Sequence, residues 1–210
     1  MTQKERQARS QQMILAAAEE EFSTVGYEAF TMDGLCARHK ISKGMLYHYY
    51  TGKEQLFLLC AERVYRSLEA YLRERMPDIL RQDIRQAIQA YFLAREYYFQ
   101  ENPQQKAVFE TALFYPPKQL AVEIKELHQP LDDLNHDFLQ QVVSRLELRP
   151  SLSQEAVSRY FRGIEYVFMT LLERCQGEDR PLDVEIMVGT SSEVLDMLLF
   201  GVVERPDQEK

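Results

Sequence analysis

Cysteine is nearly absent from the 210 residues. Cys36, Cys60 and Cys175 stand far apart, odd in number and with no CxxC pair among them. That spacing excludes a disulfide framework and offers no zinc pattern, so buried thiols are expected. Glycine and proline are scarce, eight of each, while Leu, Glu, Ala, Gln and Arg are plentiful, a composition that favours helix. No apolar run approaches the roughly 20 residues that span a bilayer. The N-terminal stretch MTQKERQARSQQ is polar and lacks the apolar segment of a secretory signal, so cytoplasmic residence is expected. Neither HExxH nor GxSxG is present, and no cysteine–histidine nucleophile pair is evident. The expectation is therefore no enzyme and no cofactor.

What is present is enough apolar material for a core, 45% of the residues, over a length suited to one medium domain or two small ones. Net charge is −8, but it is unevenly spread. Residues 1–53 hold seven Lys/Arg against six Asp/Glu, and the remainder holds 18 against 27. Like charge repels a polyanion, so only the N-terminal quarter suits contact with nucleic acid.

Period-two alternation is almost missing and helical periodicity is widespread, which predicts an all-α fold. The spacing of Ile14, Ala17, Ala18, Phe22 and Val25 predicts a first helix over 4–25, stopped by Gly26. Thr31 and Ser42 are N-cap residues for short helices over 32–39 and up to Tyr49. Longer helices are predicted at 53–75, 81–101, 103–114, 118–146 with an interruption at Pro130, 152–176 and 183–201. Pro77, Pro103, the YPPK stretch, Pro150 and Pro181 serve as breakers. The predicted division is a domain of residues 1–52 and a second of 53–210.

Two short helices joined by a tight turn, the second rich in polar side chains, describe a helix-turn-helix. Leu35, Cys36, Ile41 and Leu46 would pack inward with Phe22, leaving Lys43, Gly44, Tyr47 and His48 outside. A mid-helix glycine costs about 1 kcal/mol, which makes sense if the backbone must approach a groove wall. Tyr47 and Lys53 can reach phosphates, and the free N–H groups after Thr31 and Ser42 suit a phosphate as well.

The segment 14–56, with ILAAAEEEFSTVGYEAFTM followed by LCARHKISKGMLYHYYTGKEQLF, resembles the DNA-binding region of TetR-type transcriptional regulators. The resemblance implies that Thr31, Tyr47 and Lys53 bind phosphate. It also implies that Lys43, Gly44, Met45 and His48 face the major groove, and that Lys4, Arg6 and Arg9 reach the flanking backbone or minor groove. Three positions depart from the pattern. Lys40 stands where the family has its turn glycine, so the turn needs either another backbone conformation or a left-handed lysine. Met45 replaces a small hydroxyl residue and could meet a thymine methyl. Gly34 replaces an acidic residue and would loosen its helix.

For the rest of the chain the resemblance implies a homodimer paired through the last two helices, about 152–176 and 183–201. It also implies a small-molecule pocket among the middle helices. The aromatic candidates for that pocket are Tyr91, Tyr98, Phe109, Phe114, Phe138 and Tyr166, with an aromatic core as the plain alternative. The implied function is a ligand-responsive regulator, a repressor released from a palindromic operator by its effector. The rival reading is a protein-interaction co-activator on the same fold, its DNA surface unused. Two further patterns carry little. TGKE lacks the earlier glycine and the Ser/Thr of a phosphate loop. His128, Asp132 and His136 have ligand-like spacing, but Pro130 should interrupt their helix.

Overall fold

The computed structural model describes residues 2–148, 150–157, 159–160 and 163. Between residues 2 and 148 the described residues form α1 (Gln3–Ala29), α2 (Met32–His39), α3 (Lys43–Tyr49), α4 (Lys53–Leu80), α5 (Ile84–Glu101), α6 (Pro103–Phe114) and α7 (Ala121–Val143). A 3-10 turn (Lys118–Leu120) precedes α7, and there is no strand among the described residues, so the fold is all-α. No helix among these residues is long and apolar enough to cross a membrane. The predicted pair of closing helices, including Cys175 and Tyr166, lies outside the described residues apart from a helical start at 154.

Helix ends are set by local chemistry. Thr2 and Glu5 form a reciprocal capping box at the start of α1. Gly26 breaks that helix with φ 73° and ψ 169°, a region open essentially to glycine alone, and Tyr27–Ala29 add one further turn. Pro103 opens α6 at its first position, where a missing N–H costs nothing. Asp83 accepts from the Gln86 amide at 3.0 Å and starts α5 at residue 84 rather than 81.

Two proline expectations are corrected. Pro77 does not end α4, which runs on to Leu80. Met76 and Ile79 continue the buried stripe begun by Leu72, and burying them outweighs one missing backbone bond. Pro130 lies inside an unbroken α7. Ile124 and Leu131 are buried on either side of it, so packing carries the helix through. Asp132 and Asp133 are therefore mid-helix rather than at a new start. His128 pairs with Asp132 at 3.1 Å and His136 with Gln140 at 2.8 Å, so the three spaced residues do not converge.

The chain divides into two compact units. One comprises Met1–Tyr71 with Tyr97–Asp132; the other comprises Leu72–Glu96 with the described residues from Asp133 onward. In the first, α1 packs along α6, and Ile14, Ala18, Leu35, Leu46, Leu56 and Val64 are fully enclosed. Phe22 stacks on Phe30 at 4.0 Å and meets Phe57 edge-on at 5.1 Å, so α1, its exit and α4 share one aromatic knot. In the second, Ile88, Phe138 and Val142 form the centre. There the Arg145 guanidinium donates to the carbonyls of Leu80 and Gln82 at 2.9 and 2.6 Å, satisfying orphan acceptors after α4.

Candidate nucleic-acid interface

The geometry of α2 and α3 follows from their caps. Thr31 accepts from the Gly34 amide at 3.0 Å, and Ser42 accepts from the Met45 amide at 3.2 Å. Between the helices Lys40 adopts φ 55° and ψ 35°, the left-handed conformation, and the Ile41 amide turns back to the Cys36 carbonyl at 3.1 Å. Of the two backbones open to a lysine here, the strained one is used. Leu35, Cys36, Ile41 and Leu46 are buried as the pattern requires.

On α3 the remaining face is outward. Ser42, Lys43, Gly44, Tyr47 and His48 are exposed and Met45 is half-buried. Tyr47 keeps 53% of its surface open. An added Cβ on Gly44 would meet nothing within 4 Å, so packing within the chain does not require a glycine there. The Tyr-His-Tyr-Tyr run is not wholly outward: Tyr50 is buried, and its hydroxyl donates to the Gln11 carbonyl at 3.4 Å.

The cations of this face already have partners. Lys43 Nζ donates to Asp33 Oδ1 at 2.8 Å, a bond that raises the lysine above its ordinary pKa. Lys53 Nζ donates to the Tyr27 carbonyl at 3.2 Å and sits 4.4 Å above the Tyr27 ring. Tyr27 in turn accepts at its hydroxyl from Gln119 Nε2 at 3.0 Å. Lys4, Arg6 and Arg9 are exposed on the first turns of α1.

The α1–α2 junction contains a contact that no sequence motif signals. Glu21 is buried on α1, and the Arg38 guanidinium of α2 donates to its carboxylate through Nε at 2.7 Å and through a second nitrogen. His39 Nε2 lies 3.5 Å from the same carboxylate. Gly34 gives room for this: a Cβ there would stand 2.8 Å from both the Arg38 guanidinium and the Thr31 hydroxyl. The missing side chain thus has a steric role, and α2 keeps its full eight residues. Glu19, two residues earlier, is buried too. Desolvation raises its carboxyl above the ordinary 4.5 against the pull of Arg63, 3.5 Å away.

The aromatic candidates fall into separate groups. In the first unit Tyr98 donates to Gln105 and packs edge-on to Tyr71 at 5.1 Å, while Phe109 lies 4.9 Å from Phe99 and 5.8 Å from Tyr65. In the second, Tyr91 stacks on Phe138 at 3.9 Å and donates to Asn135 at 2.5 Å. Phe114 is half-buried, and Tyr166 lies outside the described residues. A cavity of about 180 Å³ in the first unit is instead walled by Glu62, Arg66 and Glu69 of α4 and by Glu126, Leu127 and Pro130 of α7. None of the five described candidates, Tyr91, Tyr98, Phe109, Phe114 and Phe138, lines it.

Residues 14–60 match the model of bacterial regulatory proteins of the tetR family. That segment is of the TetR type. It takes in α2, α3 and the first turns of α4, the elements whose outward residues are described above. Over 128 residues the chain is 27% identical to the HTH-type transcriptional activator FasR of Mycolicibacterium smegmatis. That match covers 60% of the chain and 57% of the relative, so the chain spans little more than half of the relative's length. Among solved structures, the fatty acid degradation regulator FadR from Bacillus halodurans superposes with TM-score 0.71 at 14% identity, over 93% of this chain and 97% of that one. The ketosteroid transcriptional regulator KstR2 of Mycobacterium tuberculosis gives 0.59 at 20%, over 94% and 96%. At such identities the likeness is one of fold.

Proposed function

We propose that the chain is a cytoplasmic, ligand-responsive repressor that binds a palindromic DNA operator as a homodimer. The observation that carries this reading is the outward face of α3, where Lys43, Gly44, Tyr47 and His48 project from a helix fixed by its caps. In this reading Lys43, Gly44, Met45 and His48 meet base edges. Thr31, Ser42, Tyr47 and Lys53 hold phosphates, and Lys4, Arg6 and Arg9 add flanking contacts. A single short helix reaches few bases, so a two-fold dimer is the physical requirement. It sets two copies of α3 about 34 Å apart, one turn of duplex. We assign the pairing to the chain beyond residue 152. The effector is a mostly apolar small molecule held among the middle aromatics, Tyr98 with Phe109 and Phe114, or Tyr91 with Phe138. It favours a conformation in which the α3 copies are wrongly spaced.

Retardation of duplexes selected from a random pool tests the reading. With about six to ten phosphates held per dimer, the slope of log K against log salt should be about −5 to −9. A flat slope, or no duplex enriched, would sink it. Because the similar FasR is named an activator, the sign of regulation has a second candidate. Deleting the gene should raise transcription from the selected site if the chain represses, and lower it if the chain activates.

A further inference from the structure

We propose that Asp33 is a specificity-determining residue of the DNA surface: it keeps Lys43 from the phosphates, and the two side chains together read one G·C base pair. The inference rests on the reading that the outer face of α3 enters the major groove.

Asp33 stands in the first turn of α2 and Lys43 opens α3. The left-handed turn at Lys40 brings the two together at 2.8 Å. Both side chains are about two-thirds exposed, 65% and 63%. An exposed pair of this kind adds little to folding. Its carboxylate also stands on the face that must approach a polyanion, where it is unfavourable unless it meets a donor. The major groove offers that donor in the cytosine N4 amine, which an aspartate accepts from. The guanine O6 and N7 acceptors of the same pair suit a lysine ammonium. An ammonium and a carboxylate already held side by side match that neighbouring acceptor and donor. Next to Lys43, Gly44 presents no side chain, and the space about it is open, so the base edge can come close.

Off the operator the same ion pair has the opposite effect. A lysine neutralised by Asp33 gains less from a phosphate, and the carboxylate repels the backbone, so sequence-independent attraction is muted. Specificity then rises on both counts, because the non-specific competitor is weakened while the operator keeps its G·C contact.

The test uses the full-length protein, a duplex selected by the wild type from a random pool, and a scrambled duplex of the same composition. Each is titrated across roughly 50 to 200 mM salt, the span over which phosphate contacts are read. Asp33→Asn should bind the scrambled duplex about 10-fold tighter at low salt, with a slope steeper by about 1 per protomer. It should gain nothing on the selected duplex. A fresh selection with this variant should no longer prefer G·C at the contacted position. Adding Lys43→Ala should abolish the non-specific gain. Asp33→Glu, which keeps the charge and misplaces it, should keep the shallow slope while weakening the selected duplex. Equal tightening on both duplexes, or an unchanged base preference in Asp33→Asn, overturns the proposal. If the wild type enriches an operator and Asp33→Asn is indifferent, only this inference fails. If the wild type enriches no duplex, the DNA-binding reading fails and takes the inference with it.

Discussion

On the outer face of α3, Tyr47 keeps half its surface open, and Lys43 beside it is paired only with exposed Asp33. In the second unit, Tyr91 of α5 is stacked on Phe138 and bonded through its hydroxyl to buried Asn135. Both regions are rich in tyrosine and could be read as binding surfaces from composition alone. The difference is in what each side chain already has. The Tyr91 ring and hydroxyl have their partners within the chain, so removing them should cost folding. The open half of Tyr47 is unused by the fold, so removing the side chain should cost mainly what the protein binds.

The sharpest way to break that contrast is the pair Lys43→Ala and Tyr47→Ala. Together they should weaken binding to a selected duplex by about 100-fold, since each contact of this type is worth about 1–3 kcal/mol. The melting temperature should stay within a few degrees, because exposed positions contribute little. A collapse in stability, or unchanged retardation, would place these residues in the fold or outside the interface. Arg38→Ala tests the scaffold beneath. It leaves the buried Glu21 carboxylate without its guanidinium, and we expect a loss of about 1–2 kcal/mol in urea unfolding. That figure is discounted because half of the Arg38 side chain lies in solvent. DNA affinity should fall with it, since Arg38 ties α2 to α1.

On the other side of the comparison, Tyr91→Phe keeps the ring stack and deletes one hydroxyl. The Asn135 oxygen then loses its donor, at a cost of about 1 kcal/mol, with DNA affinity untouched at full folding. Tyr47→Phe should do the reverse, leaving unfolding unaltered and weakening the duplex through the lost phosphate contact.

How much of this was legible in the sequence differs between the same two regions. The helix-turn-helix could be read because its determinants are local: Thr31 and Ser42 each cap within three residues, and Leu35, Ile41 and Leu46 fix the inner face. The ion pairs could not. Arg38 and Glu21 are 17 positions apart on different helices, and Asp33 and Lys43 are ten apart across a turn. Neither spacing has a helical signature. Pro77 and Pro130 misled for a related reason. A missing N–H is visible in the sequence, whereas the burial of Met76, Ile79, Ile124 and Leu131 that overrides it is a tertiary fact. The aromatics of α5 and α7 left core and pocket open, because residue type does not say whether a ring's neighbour is a side chain or a ligand.

The smallest effect concerns the turn between the two helices. Lys40 is the sole non-glycine residue with positive φ among the described residues, held there by the return of the Ile41 amide to Cys36. A Cβ in the left-handed region costs about 1–2 kcal/mol relative to the ordinary helical one, and glycine escapes that cost. Lys40→Gly should therefore raise unfolding stability. The gain is cut to about 0.5–1 kcal/mol, because glycine also loses more backbone freedom on folding. The side chain is exposed, so no packing is lost with it. Equilibrium urea unfolding of the two proteins side by side decides the matter. A gain with the α3 surface unchanged in duplex titration would mean that the turn stores strain the interface does not need. A gain accompanied by weaker binding would mean that the lysine, three residues before Lys43, supplies a phosphate contact worth its strained backbone.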